Sequence, residues 1–132
     1  MIFVDSNIPM YLVGASHPHK EDARRLLERF VGERTPLVTD AEVFQEILHR
    51  YVAIDRRDAI KPSFVTLLSI VDEVYSIQLS DAERAQDLVL GKRKLSARDA
   101  IHVAVMERNG IKRILSFDAG FDTVSGLTRI SE

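Results

Sequence analysis

A chain of 132 residues with 45% hydrophobic and 29% charged side chains can bury a sizeable core and does not have the composition of a disordered segment. It has no cysteine, which excludes disulfides, thiol nucleophiles and thiolate zinc sites and agrees with a cytoplasmic setting. The formal net charge of −2 announces no nucleic-acid partner, so any basic surface has to be local.

Ile2-Phe3-Val4 is a short apolar run ending at Asp5 and reads as a buried strand. No basic segment precedes it, as a signal peptide would require, and no apolar run approaches the roughly 20 residues of a membrane span. Asp5-Ser6-Asn7 offers helix-capping chemistry, and Pro9 suits the first turn of a short helix to about Leu12. His17 to Val31 reads as a second helix stopped by Gly32, and Leu37-Val38 as a second strand. A helix from Asp40 to about Ala53 and another from about Asp55 to Ser69 follow, then a strand from Val74 to Ile77. Ser80 opens a helix that ends near Gly91, and Ser96 opens the next, which Asn109-Gly110 terminates. Arg113 to Leu115 is a fourth strand and Leu127 to Ile130 a fifth. No repeat or linker interrupts the series. Strands alternating with helices argue for one domain over residues 1–132, with a parallel sheet of about five strands between helical layers.

In such a sheet, ligands bind at the carboxyl ends of the strands. Asp5 ends the first strand, and Asp118 lies just past the fourth. Asp99 falls in the first turn of the Ser96 helix, whose N-terminus shares that edge. The helix reads Ala100, Ile101, Val103, Ala104, Val105, Met106, apolar nearly all round, so an acid in its first turn is exposed to desolvation. Glu46 lies in the second turn of the Asp40 helix. There it stands almost opposite the stripe Val43, Phe44, Ile47, Leu48, Tyr51 and Val52, on a face shared with Glu42 and His49. Spacing alone gives that face to solvent; Glu46 serves a site only if the face borders the rim. Each acid also has an ordinary structural role open to it: Asp5 as a helix cap, Asp99 in a capping box with Ser96, Asp118 as a turn residue before Gly120.

Carboxylates gathered at one rim repel one another unless some are protonated or a cation sits among them. Oxygen ligands suit Mg²⁺ or Mn²⁺ rather than zinc, and such ions serve phosphodiester chemistry. Other chemistries lack their motifs. There is no G-x-x-x-x-G-K-[ST], no G-x-G-x-x-G and no H-E-x-x-H, and position 7 is Asn7 where a D-x-D phosphatase needs an acid. His17 and His19 flank Pro18 and read as a loop before a helix; neither His49 nor His102 has an evident partner.

The motifs resemble those of PIN-domain ribonucleases, and among them the VapC-type toxins of bacterial toxin–antitoxin pairs. I-F-V-D-S-N resembles the family's first motif, with Asp5 as its acid and Ser6 as the adjacent hydroxyl. T-D-A-E-V-F-Q-E-I-L-H-R resembles the second, which points to Glu46 with Glu42 as a rival register. L-S-A-R-D-A-I-H-V-A resembles the third and points to Asp99. S-F-D-A-G-F-D resembles the fourth and points to Asp118, with Ser116 as a supporting hydroxyl and Asp122 as an accessory acid. The resemblance implies a PIN-like three-layer α/β sandwich. It also implies Mg²⁺ or Mn²⁺ held by Asp5, Asp99 and Asp118, with Glu46 positioning the ion or the attacking water. Cleavage of single-stranded RNA, a homodimer and a cognate antitoxin complete the expectation. Lys92-Arg93-Lys94 and Arg98 stand near the rim and are the candidates for phosphate contact. The apolar stripe ending in Tyr51 and Val52, with Phe64, Leu67, Leu68 and Val71, is broad enough that part of it is expected to form the dimer contact. The competing expectation is a catalytically silent domain of the same fold that binds RNA or acts as a scaffold.

Overall fold

The computed structural model describes residues 1–132. Strands β1 (Ile2–Val4), β2 (Leu37–Asp40), β3 (Glu73–Tyr75), β4 (Arg113–Leu115) and β5 (Thr128–Ile130) form one parallel sheet in the order β3-β2-β1-β4-β5. Six α-helices flank it: α1 (Asn7–Val13), α2 (Pro18–Gly32), α3 (Ala41–Ala53), α4 (Ile60–Ile70), α5 (Leu79–Gly91) and α6 (Ala97–Arg108). Short 3₁₀ turns precede α4 (Arg57–Ala59) and β5 (Ala119–Thr123). The α/β class and the five parallel strands are as the alternation of elements predicts. No helix is long and apolar enough to cross a membrane.

The central strand explains its own sequence. All three residues of β1 are fully buried, as a strand covered on both faces requires, and a continuous apolar run meets that requirement. From β1 the chain moves outward through β2 to β3. Helices α5 and α6 then carry it back past both strands to β4, on the other side of β1. β1 and β4 are therefore neighbours from which the chain departs in opposite directions, which opens a crevice at their carboxyl ends. Backbone pairing runs one residue past the strands there. Asp5 N–H donates to the Leu115 carbonyl at 3.1 Å, and Ser116 N–H to that of Ile130 at 3.1 Å.

Helix ends show where local chemistry departs from the sequence expectation. Gly110 ends α6 at φ 69, and the Ile111 and Gly110 N–H groups return to the carbonyls of Met106 and Glu107, the double bond of a Schellman motif. The same pair of bonds closes α2 around Arg34 (φ 57) and α3 around Asp55 (φ 55). Gly32 does not stop α2; it is the helix's last residue, and Arg34 takes the left-handed position. Asp55 likewise terminates α3 rather than opening the next helix, so α4 begins only after the 3₁₀ turn. β3 also ends two residues short of Ile77, because the chain already turns into the Gln78–Asp81 capping box of α5.

Nothing stands within 4 Å of a Cβ added at Gly32. Gly32→Ala is therefore expected to raise stability by about 0.5–1 kcal/mol through helix propensity. Arg34→Gly should gain a similar amount by relieving the left-handed strain. Thermal or urea melts check both signs; a loss on Gly32→Ala would restore Gly32 as the terminator.

Candidate active site

The crevice between β1 and β4 is where the acids meet. Asp5 follows β1 directly and is 2% exposed. Its Oδ1 accepts the Ser6 N–H at 2.7 Å, and its Oδ2 accepts the Ser116 hydroxyl at 2.6 Å and the Asn7 amide at 3.4 Å. Capping is not its role: α1 has no side-chain cap at all, and the Ser6 hydroxyl instead donates to Glu46 Oε2 at 3.3 Å. Asp99 sits in the first turn of α6, where the Ser96 hydroxyl accepts its N–H at 3.1 Å. Only this half of the expected capping box forms; the Asp99 carboxyl makes no bond back to the Ser96 N–H.

One turn on from Asp99, His102 is completely buried. Its Nδ1 is 2.8 Å from Asp40 Oδ2, and its Nε2 is hydrogen-bonded to Glu46. Asp40 ends β2, is itself fully buried, and caps α3 by accepting the Val43 N–H at 3.0 Å. Single ligand atoms from Asp5, Glu46, Asp99 and His102 lie within 4.8 Å of one another. Asp118 is outside that tight group. It approaches Asp99 from the exposed side, and its Oδ1 accepts the Gly120 N–H at 2.8 Å.

Electrostatics follow from this crowding. Burial pushes the Asp5 carboxyl up, and the charge of Glu46 adds to it, while His102 and the hydrogen bonds from Ser116 and Ser6 oppose. Asp99 is pushed up from 3.8 to about 8 by burial, by the Asp118 carboxyl beside it, and by the charges of Asp5 and Asp118. Burial alone would make His102 neutral, but its bonds to Asp40 and Glu46 hold its pKa well above the ordinary value of 6.5. The imidazolium then donates from both nitrogens, so neither is free to bind a metal. The remaining donors are carboxylate oxygens, and that set fits a hard divalent cation.

A groove of about 330 Å³ opens beside the acids, lined by Ser6, Asn7, Met10, Tyr11, Glu46, Arg50 and Arg98. The model of the PIN domain family matches residues 2–127. The chain belongs to the PIN domain family. Within it, the chain is 59% identical over 131 residues to Ribonuclease VapC13 of Mycobacterium tuberculosis, covering 99% of this chain and 100% of that one. It is thereby a ribonuclease of the VapC group. Solved structures share the fold. Mycobacterium tuberculosis VapC20, described as a sarcin–ricin loop cleaving toxin, matches with a TM-score of 0.80 at 24% identity over all of both chains. A toxin–antitoxin complex from Klebsiella pneumoniae matches with a TM-score of 0.69 at 18% identity, over 97% of this chain and 96% of that one.

This PIN domain gathers Asp5, Glu46 and Asp99, with Ser6 and Ser116 as direct partners, and sets Asp118 at the rim. Glu46 departs from its expected phase. Leu48 and Val52, counted in the apolar stripe, are 43% and 42% exposed, and the buried face is Val43, Ile47 and Tyr51. Glu46 stands about 60° round the helix from Val43, on the flank of that face. Glu42, the rival, faces Arg98 with an Nε–Oε1 distance of 3.9 Å. Asp122 is engaged by Arg129 at 2.9 and 3.0 Å rather than by the acids. Arg98 lines the groove, whereas Lys92 is tied to the Thr123 carbonyl at 3.0 Å, leaving Arg93 and Lys94 exposed. The sequence reading missed the partnership of His102 with Asp40 and Glu46, and the presence of Arg50 in the groove. A histidine inside a helix with no solvent face was the available signal, since it must find partners within the protein.

Because the folded state raises the pKa of Asp99 from 3.8 to about 8, it holds a proton there that the unfolded chain has lost. The protonated folded form therefore contributes stability below the unfolded pKa, and that contribution is lost as pH rises toward 8. The metal-free protein should melt at a lower temperature at pH 8 than at pH 5. Asp99→Asn should remove much of that slope; an unchanged slope in the variant would mean that Asp99 is not the group responsible.

Proposed function

We propose that this PIN domain is a divalent-metal-dependent endoribonuclease whose site is Asp5, Glu46, Asp99 and Asp118. The observation that carries the reading is the buried carboxylate cluster at the β1/β4 crevice, with the buried His102 on the far side and an open groove on the near side. Residues 1–132 act as one unit, since a single cluster of 26 buried hydrophobic residues spans the chain.

Asp5, Asp99 and Asp118 are the proposed ligands of Mg²⁺ or Mn²⁺, and Glu46 orients the attacking water. A divalent ion held there supplies a water activated near neutral pH and positive charge for the phosphate. The protein does the rest. Ser116 and Asn7 fix the Asp5 carboxylate, Ser6 and His102 fix Glu46, and Asp40 fixes His102. Arg98 and Arg50 stand along the groove to meet backbone phosphates, and Arg93 and Lys94 extend that surface. The substrate is single-stranded RNA. The protein is the toxin of a pair, held in check by a cognate antitoxin in the cytoplasm; the relatives named VapC and the Klebsiella pneumoniae complex support that partner.

Attack by water makes no use of the ribose 2′-hydroxyl. Cleavage of single-stranded RNA should therefore stop with EDTA, resume with Mg²⁺ or Mn²⁺, and leave a 5′-phosphate on the downstream fragment. Asp5→Asn, Asp99→Asn, Asp118→Asn and Glu46→Gln should each lose most activity while remaining folded. Millimolar Mn²⁺ should stabilise the parent by about 2.7 kcal/mol at a hundredfold excess over Kd, and Asp5→Asn should abolish the shift. Cyclic-phosphate ends or EDTA-resistant cutting would refute the mechanism. Bound metal without cutting of any RNA would favour the silent scaffold.

The homodimer is proposed on the outer surface of α3 and α4. Tyr51 and Leu67 from the expected contact are core residues, but Leu48, Val52, Val65 and Leu68 are each more than 40% exposed. Sedimentation at micromolar concentration should show a dimer, and Val52→Asp combined with Leu68→Asp should shift it to monomer. A parent protein that sediments only as monomer would remove the proposal.

A further inference from the structure

Beside the acids stands a group of four rings that the chemistry of the cluster does not use. Tyr11 from α1 and His17 from the loop before α2 are stacked, with centroids 4.3 Å apart and planes at 22°. His19 and Phe117 are stacked at 4.3 Å and 14°. The two pairs meet one another: Tyr11 and Phe117 edge to face at 5.5 Å, His17 and His19 at 5.2 Å. Core packing accounts for Tyr11 and Phe117, which rest against the hydrophobic core, but not for the two histidines, because His17 is exposed and the His19 side chain is 42% exposed. His19 Nδ1 has no hydrogen-bond partner; the nearest charge is Asp22 Oδ2 at 3.7 Å.

Chain continuity fixes the rings to the site. Phe117 lies between Ser116, which donates to Asp5, and Asp118, which meets Asp99, and its own N–H donates to Asn7 Oδ1 at 3.4 Å. Tyr11 lies one turn along α1 from Asn7 and lines the groove that holds Glu46, Arg50 and Arg98. The groove thus has Arg50 and Arg98 along it, the Glu46 carboxylate in it, and Tyr11, one ring of the group, in its lining, with the other three rings joined to Tyr11 directly or through one another. A single strand crossing the acids carries phosphates for the cations and flat bases for the rings. Tyr and His faces suit such bases because they pair an apolar face with a polar edge.

We infer that Tyr11, His17, His19 and Phe117 form a stacking subsite for an unpaired base flanking the cleaved phosphate, with the outer face of His17 as the open end of the stack. This inference rests on the ribonuclease reading of the acid cluster. It adds a determinant of which single-stranded segments are cut, because a paired base cannot leave its helix to enter the stack without loss of pairing.

His17 has a second role that allows a crossed test. Its Nδ1 accepts the His19 N–H at 3.0 Å and caps α2. His17→Asn keeps an acceptor suited to the cap and removes the ring, whereas His17→Phe keeps a ring and removes the acceptor. The probe is a single-stranded RNA octamer with 2-aminopurine at its centre and mixed flanking bases, added to protein carrying Asp5→Asn so that it is not cut. Stacking should quench the fluorescence. His17→Asn should weaken binding about tenfold and lose the quench, and His17→Phe should bind as the parent does. In protein with Asp5 intact, His17→Asn should raise KM and leave kcat nearly unchanged. His19→Leu, which touches no cap acceptor, should behave like His17→Asn. Weak binding by His17→Phe with full binding by His17→Asn would show that the ring serves only α2, and would overturn the subsite. Unchanged KM in His17→Asn and His19→Leu, with RNA still cut, would overturn the subsite and leave the ribonuclease reading standing. A parent protein that cuts no RNA would overturn both.

Discussion

Asp5, Asp40, Glu46 and Asp99 converge on one buried pocket, and only His102 stands among them as a cation of the protein's own. Four carboxylates cannot all be ionised in a desolvated space without compensation. The structure divides the problem. On the inner side His102 donates to both Asp40 and Glu46, so one buried positive charge is shared between two acids and offsets half of their charge. On the outer side Asp5 and Asp99 are left with raised pKa values, with Asp118 beside them and no basic side chain hydrogen-bonded to any of the three. That asymmetry makes the outer carboxylates a place for an external cation and the inner ones part of its support.

The fold exists in a form that permits this arrangement because the charges hang on rigid pieces. Asp5, Asp40 and Ser116 each stand at the carboxyl end of a parallel strand, fixed by backbone pairing to its neighbours. Asp99 and His102 are one turn apart on α6, a helix buried along nearly its whole length and tied to α5 by the Asp81–Arg108 pair at 2.9 Å. Burial opposes the charge of Asp81, but Arg108 and the Gln78 N–H hold its carboxyl below the ordinary range. Asp81 thus closes the capping box of α5 and bonds the last turn of α6, locking the helix that carries two members of the site.

How far the sequence could be read follows from the same physics. Strand ends and helix starts share one edge of a parallel sheet, so Asp5 and Asp99 could be placed from topology without any coordinates. Asp40 obeys the same rule at the end of β2. An acid at that position is also a good helix cap, and here one oxygen caps α3 while the other holds His102. Glu46 is obscured because the apolar stripe of α3 mixes core residues with Leu48 and Val52, which face outward and turn the centre of the stripe away from Glu46. The helix ends at Arg34 and Asp55 were illegible for a related reason. Left-handed positions normally advertise themselves as glycine, and here the tertiary structure imposes them on other residues.

A protein with a net charge of −2 meets a polyanion at a site lined with acids, so affinity for RNA cannot come from the whole surface. Local cations supply part of it. Arg98 is already shared with Glu42 at 3.9 Å, which leaves Arg50 and the exposed Arg93 and Lys94 with the freest charges. The acids themselves repel phosphate until a cation occupies them. Metal and RNA are therefore coupled ligands: whatever factor the ion adds to RNA affinity, the RNA phosphate must add to the affinity for the ion. Base stacking of the kind inferred at the ring group lies outside that coupling, because face-to-face contact depends neither on the ion nor on salt in the way phosphate contacts do. Under the proposed mechanism the chemical step and the hold on the backbone thus follow the metal, while the inferred stacking would act on the flat faces of the bases instead.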